Sequence, residues 1–291
     1  MGWCFTDDVE AYAERAWELL ARDPVGQTVA LSVIERVRAG HRWSDRGQIV
    51  FGCYDVGGGV RGAVSLTPPF ELLLAVVPGD AVAELVAALR RASVEFPGVN
   101  GDAKSVEAFA AAWTRETGVR PVPVHRMRLY RLQRLCSPAV PPPGRARPGV
   151  PDDIETAVRW LQAFEIEAGT PRTNVEAAAR MAIDDGRLWV WEDPAGAAVS
   201  LASRTRTVVG VGRIAPVYTP PDRRRRGYGA AVTAACTHDA LARGATDVAL
   251  FADLANPTAN SIYQRIGYVP VREQHVVHFE RPDSRGRGAR R

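Results

Sequence analysis

The stretch VYTPPDRRRRGYGAAV, residues 217–232, constrains this chain more than any other. A strand-forming run stops at Pro220 and Pro221, which cannot donate in a ladder, and an alanine-rich helix starts after two glycines. Four consecutive arginines, Arg223 to Arg226, stand between them. A helix start leaves about four backbone N–H groups unpaired and carries roughly half a positive charge from its aligned peptide dipoles. Gly227 and Gly229 remove the Cβ atoms that would keep an anion from those donors, and Arg224, Arg225 and Arg226 add fork-shaped donors. Strand, double proline, arginine loop and helix therefore make a coherent pyrophosphate site, with a solvated basic turn as the bland alternative.

Other phosphate motifs fit less well. No GxxxxGK[ST] string is present. GVGRIA, residues 210–215, matches GxGxxA formally but opens a strand instead of joining strand to helix. Nucleic-acid binding through the arginines is disfavoured. The net charge is only +4, and no basic face with interleaved aromatics or a groove-reading helix is visible. Much of the excess lies in the loop and in the tail RPDSRGRGARR, which has almost nothing apolar to bury and reads as disordered from 283 to 291. A hydrophobic content of 46% in 291 residues suits two globular domains. No apolar run is long enough for a membrane helix, and no secretory pattern precedes Asp7. Cys4, Cys53, Cys136 and Cys236 are far apart without a CxxC, which points away from zinc and towards a reducing, cytoplasmic setting.

CSPAVPPPGRARPG, residues 136–149, has no periodic apolar pattern and reads as a stiff linker. It divides a domain at 1–135 from one at 150–282. Beyond it, Ile154, Val158, Leu161 and Phe164 share a helical face, with Asp152 placed to cap and Glu155 three residues on. A second helix is expected near 174–184, then strands in RLWVWED, AAVSLASRTRT and GRIAPVYT, and a helix from about 228 to Arg243 stopped by Gly244. DVALFAD, NPTANSIYQRI and EQHVVHFER complete the order as strand, helix and strand. The first half repeats this order, with helices at 7–21, 25–38, 80–93 and 103–116. Its strands fall at 48–54, 60–67 and 70–77, with extended pieces near Val99 and in HRMRLYRL. One difference stands out: where the second half has its arginine–glycine loop, the first runs through Pro78 and Gly79 to Asp80, a carboxylate that repels a phosphate.

NPTANSIY, residues 256–263, is the second signal. Asn256 before Pro257 is a good N-cap and N1 pair, which already explains it structurally. On a helix, Asn256, Asn260 and Tyr263 fall at i, i+4 and i+7 on one face, beside an apolar stripe of Ile262 and Ile266. Two amides and a phenol aligned on one face exceed what burial requires, although a surface amide and a packed tyrosine are the simpler readings of Asn260 and Tyr263. His238 and Cys236 lack further ligands for a metal, and His275 and His278, three apart on a strand, face opposite ways. Trp189 and Trp191 share a strand face and serve equally as core or as cleft lining.

Arg224-x-x-Gly227-x-Gly229 after a strand, followed some thirty residues later by NPTANSIYQRIGY, resembles the GCN5-related N-acetyltransferase (GNAT) family over about residues 148–281. The whole chain is similar to two-domain members of actinobacterial type, with a degenerate GNAT-like N-terminal half. The resemblance implies an α/β (α+β) fold of two tandem acyl-CoA N-acyltransferase-like domains, each a mixed, mostly antiparallel sheet flanked by helices. It implies acetyl-CoA as cosubstrate, no metal, and a small-molecule or peptide amine as acceptor. Val217, Tyr218 and Thr219 then match the strand that holds the acetyl group and pantetheine, splayed from DVALFAD. Arg224, Arg225, Arg226, Gly227, Tyr228, Gly229 and Ala230 match the pyrophosphate loop. Asn256, and with it Asn260, would contact the cofactor, and Tyr263 would give a proton to the departing thiolate. The base is not legible: Glu165, Glu167, Glu192, Asp193 and Asp253 are candidates, with Asp253 first because it ends a strand at the site. The implied reaction is direct attack of an amine on the thioester in a ternary complex, with no cysteine nucleophile. A non-catalytic acyl-CoA sensor or scaffold is the alternative.

Overall fold

The computed structural model describes residues 2–43, 47–138, 140–169 and 174–280; the basic tail at 283–291 lies outside them. The chain forms two compact units. The N-terminal unit comprises residues 1–23, 29–127 and 272–291, and the C-terminal unit comprises 24–28 and 128–271. This differs from a simple cut at the proline-rich segment. The N-terminal unit takes its last strand from the far end of the chain, and residues 145–148 of the expected linker form a strand.

Along the first half of the chain the elements are β1 (Gly2–Thr6), α1 (Val9–Ala21), α2 (Thr28–Arg38), β2 (Val50–Val56), β3 (Gly59–Leu66), β4 (Leu72–Val76), α3 (Val82–Arg91), β5 (Gly98–Asp102), α4 (Ala103–Thr117) and β6 (Arg120–Leu132), whose last residues belong to the C-terminal unit. The second half continues with β7 (Arg145–Pro148), α5 (Ile154–Ala168), α6 (Val175–Asp184), β8 (Leu188–Glu192), β9 (Ala198–Arg204), β10 (Val211–Tyr218), α7 (Tyr228–Ala242), β11 (Asp247–Asp253), α8 (Pro257–Arg265) and β12 (Tyr268–Glu280), which from Arg272 onward belongs to the N-terminal unit and pairs with β5. The two orders are the same, element for element. The strand sequence is β1-β2-β3-β4-β5-β12 in the first unit and β6-β11-β10-β9-β8-β7 in the second. The strands described are mostly antiparallel, and β4 with β5 and β10 with β11 pair in parallel. The tandem α/β architecture is therefore as the sequence implies. Two short edge strands, β1 and β7, were not legible, because neither carries an alternating apolar pattern.

The core of the N-terminal unit packs Leu85 and Leu89 of α3 and Val106 and Phe109 of α4 against Val64, Leu72, Leu74 and Val99. In the C-terminal unit α5 and α6 cover one face of the sheet through Trp160, Leu161, Ala179 and Ile183. α7 covers another cluster with Ala231, Val232, Cys236 and Ala240. α7 is buried nearly all round, and its alanines let it lie close to the sheet. The helix start at α5 is a local correction. Asp153, not Asp152, is tied in: its Oδ2 accepts from the Val150 amide at 2.8 Å and from Arg147 at 2.6 Å.

Candidate active site

The site begins where the sheet of the C-terminal unit opens. β10 and β11 pair in parallel only from Val211 with Asp247 to Ile214 with Leu250, yet the strands run on to Tyr218 and Asp253. Within β10 the cause is Pro216, which has no N–H to give a neighbour. The register against β9 shifts between Ile214 and Val217, the signature of a bulge. Its effect is visible in packing: Ile214 and Val217, three residues apart, both reach the α7 core, which strict alternation forbids. Pro216 sits inside the strand-like run GRIAPVYT and was the overlooked signal for this feature.

Past the bulge the chain is held firmly. Tyr218 is buried, its carbonyl accepts from Ser200 Oγ at 3.0 Å, and its hydroxyl donates to Glu167 Oε1 at 3.2 Å. Burial first, and the Glu167 charge second, push its phenol above the usual tyrosine range. Thr219 Oγ1 shares a 2.8 Å hydrogen bond with Ser200 Oγ. Residues 221–223 form one tight turn, and Arg225 and Gly227 take positive φ values of 61° and 85°. Glycine adopts that conformation at no steric cost, whereas at Arg225 it is strained.

Gly227 opens α7. Its carbonyl accepts from the Ala231 amide at 3.1 Å, so the amides of Tyr228, Gly229 and Ala230 have no partner within the helix, and no side chain caps them. A Cβ on Gly229 would lie 3.3 Å from Thr219 Oγ1, so the missing side chain lets the strand end and the helix start approach closely. The backbone thus offers uncapped donors at a helix start beside the unpaired end of β10, the chemistry that suits a diphosphate. The arginines are less free than expected. Arg224 donates through Nε to Thr219 O at 2.9 Å and through Nη2 to both oxygens of Glu167 at 2.7 and 2.8 Å. Arg226 donates to Asp222 O at 3.2 Å, and Arg223 pairs with Asp222. Arg225 is exposed and makes no ion pair or side-chain hydrogen bond.

α8 shows what its aligned polar residues do. Asn256 caps the helix, its Oδ1 accepting from the Ala259 amide at 3.0 Å. Asn260 spends its whole amide on the protein. Its Nδ2 donates to the carbonyls of Asp253 and Asn256, both at 2.7 Å, and its Oδ1 accepts from Tyr130 OH at 2.8 Å. Neither expected cofactor amide is therefore idle; both fix the turn between β11 and α8. Tyr263 differs. Its ring packs between Tyr130 and Tyr268 at 6.4 and 6.3 Å, and its hydroxyl has no hydrogen-bond partner. Desolvation pushes its phenol up to about 12, so it stays protonated at neutral pH.

The candidate bases are all engaged. Asp253 Oδ1 accepts from the Ala255 amide at 2.8 Å and closes its own turn. Asp193 Oδ1 accepts from the Ala195 and Ala197 amides. Glu192 binds Arg147 at 2.6 Å and Arg145 at 3.0 Å, which hold its carboxyl below the usual range. Glu167 holds Arg224 and Tyr218, and Glu165 is buried in α5. Trp191 belongs to the core, donating from Nε1 to Pro143 O at 3.0 Å, and Trp189 packs partly buried against the same cluster. Cys236 is core as well, its thiol pushed far up by burial. Among the described residues no cluster of three or more His, Cys, Asp or Glu side chains could hold a metal ion.

Comparison with solved structures agrees over nearly the whole chain. A GCN5-related N-acetyltransferase from Sphaerobacter thermophilus superposes with a TM-score of 0.60 at 18% identity, covering 94% of each chain. The fold is that of the GNAT acetyltransferases. Another GCN5-related N-acetyltransferase, from Kribbella flavida, gives a TM-score of 0.57 at 18% identity over 88% of this chain and 96% of that one. A tandem GNAT protein from the clavulanic acid biosynthesis pathway gives 0.56 at 15% identity, covering 96% and 98%. The FR47-like protein family model matches residues 197–277, which span β10, the arginine loop, α7 and α8. No curated protein matches the chain significantly. Among the described residues no helix is long and apolar enough to cross a membrane.

Proposed function

We propose that the C-terminal unit binds acetyl-CoA and transfers its acetyl group to an amine, and that the N-terminal unit is a GNAT-like copy without that site, as in two-domain members of actinobacterial type. The observation that carries this reading is the opening of β10 from β11 beside the uncapped start of α7. Main-chain donors of Tyr228, Gly229 and Ala230, with Arg225, hold the diphosphate. Backbone of Val217 to Thr219 faces the thioester and stabilises the oxyanion formed when the amine attacks.

Tyr263 acts on the departing sulfur. Burial raises the Tyr263 phenol to about 12, which makes it a weaker acid than a thiol of pKa about 8.5, so full proton transfer from the phenol is unfavourable. The phenol therefore donates a hydrogen bond to the thiolate, and the proton that finally reaches sulfur comes from the nitrogen that has gained the acetyl group. The attacking amine loses its first proton to water or to Asp253, whose Oδ1 accepts only one backbone amide and whose second oxygen remains available. A second reading is a CoA-binding sensor without turnover, since Glu167 and Glu192 are already held by arginines.

Two measurements separate the readings. Titration calorimetry with CoA shows heat under both, and none if the site is not a CoA site. A screen of small amines, polyamines and peptides for thiol release shows turnover only under the first. Binding of DNA or RNA with steep salt dependence and no competition by CoA would overturn both.

A further inference from the structure

The four cysteines are far apart in sequence, yet the register of the N-terminal sheet sets Cys4 of β1 directly opposite Cys53 of β2. Opposite residues of an antiparallel pair project to one face with Cβ atoms about 4.5–5.5 Å apart, within a small adjustment of the span of a disulfide. Their neighbours identify the face. Trp3 and its opposite number Tyr54 meet at 5.3 Å between ring centres, where Trp3 Nε1 donates to Ala81 O. Side chains reverse with each residue, so Cys4 and Cys53 lie on the other face, under α1. There Tyr12 stacks on Phe51 at 4.7 Å and Arg15 pairs with Asp55. The charge of Arg15 is felt by both thiols. Exposure divides the two: Cys4, on the edge strand, is exposed, while Cys53 is only 2% exposed. Burial raises the Cys53 thiol to about 11, which leaves Cys4 as the member that meets an oxidant first.

We propose that Cys4 and Cys53 are a redox pair that closes into a cross-strand disulfide when the protein meets hydrogen peroxide. The Cys4 thiolate attacks one peroxide oxygen and the O–O bond breaks, leaving a sulfenic acid on Cys4 and hydroxide that takes a proton to become water. The Cys53 sulfur then attacks the Cys4 sulfur, and the hydroxyl leaves as a second water with the thiol proton. Two thiols are oxidised and one peroxide is reduced to two waters; a dithiol reverses the bond. The bridge ties the edge strand β1 to β2, and the loop it closes restrains the unfolded chain.

The test uses the full chain, treated with hydrogen peroxide, alkylated and digested for mass spectrometry. The expected product is one peptide pair joining Cys4 to Cys53, two hydrogens lighter, formed within a single chain and reversed by dithiothreitol. Oxidised wild type should melt higher than reduced, and Cys4→Ser, at an exposed position, should abolish both the link and the shift. Cys4 advancing to sulfinic acid with Cys53 still alkylatable after unfolding would overturn the proposal. So would a link from Cys4 to Cys136 or to a second chain.

Discussion

The N-terminal and C-terminal units run through the same order of helices and strands and part company at one junction. In the N-terminal unit β4 pairs with β5 through Leu74 and Gly101, and the strands end almost at once, at Val76 and Asp102. A Cβ on Gly101 would meet Leu74 O at 2.9 Å, so the two strands lie tightly together. In the C-terminal unit the bulge at Pro216 frees the ends of β10 and β11. The loop that follows differs in sign: Asp80 sits before α3 and pairs with Arg61 at 3.6 Å, while four arginines precede α7. The helix after the second parallel strand differs too. Seven residues beyond the cap Asp102, α4 places Phe109 wholly in the core; seven beyond the cap Asn256, α8 places Tyr263 with a free hydroxyl. At this position one half commits a phenyl ring to its core, and the other keeps a phenol whose hydroxyl has no protein partner.

Substitutions made in parallel in the two halves test that contrast. The largest effect is expected for Gly227→Val, which puts a branched side chain at φ 85° and crowds the amides of α7. Calorimetry should show CoA affinity falling by about 100-fold or more, roughly 3 kcal/mol. The same change at Gly79, where a Cβ meets nothing within 4 Å, should leave CoA binding unaltered. Next is Tyr263→Phe. Turnover should drop about 100-fold with CoA affinity unchanged, a loss of about 3 kcal/mol confined to the reaction step. Its mirror, Phe109→Tyr, buries an unpartnered hydroxyl and should cost about 1–3 kcal/mol in urea denaturation without creating activity.

Smaller effects concern the scaffold. Asn260→Ala leaves the Tyr130 hydroxyl proton without its acceptor and takes from Asp253 O the second of its two donors, the Asn256 amide remaining, and should destabilise the chain by about 1–2 kcal/mol. Removing either cap, Asn256→Ala or Asp102→Ala, should cost about 1 kcal/mol in both halves alike, since capping is common to them. The smallest is a pH effect. Burial raises the Asp239 carboxyl, but hydrogen bonds from Arg243 and Arg204 outweigh it and hold it below the usual range. A depressed carboxyl lends stability above its unfolded pKa of about 4 and loses it as the pH falls through the folded value. The urea midpoint should therefore drop below about pH 4, and Asp239→Asn should flatten that decline.

Local chemistry made much of this protein legible. Pro220, Pro221 and Gly227 mark where a strand must stop and a helix can start, and the spacing from Asn256 to Tyr263 puts their side chains on one face whatever surrounds them. DVALFAD is bounded as a strand at the residues where β11 begins and ends. These features rest on backbone geometry and periods of two or 3.6 residues, which neighbours in sequence settle among themselves. Partners distant in sequence are a different matter. That Asn260 serves Tyr130, that Glu167 already holds Arg224, that the strand at the end of the chain completes the N-terminal sheet, and that Cys4 stands opposite Cys53 all depend on register and packing. Those are fixed only when the sheets assemble, because a polar or sulfur-bearing side chain has many possible partners until burial leaves it one.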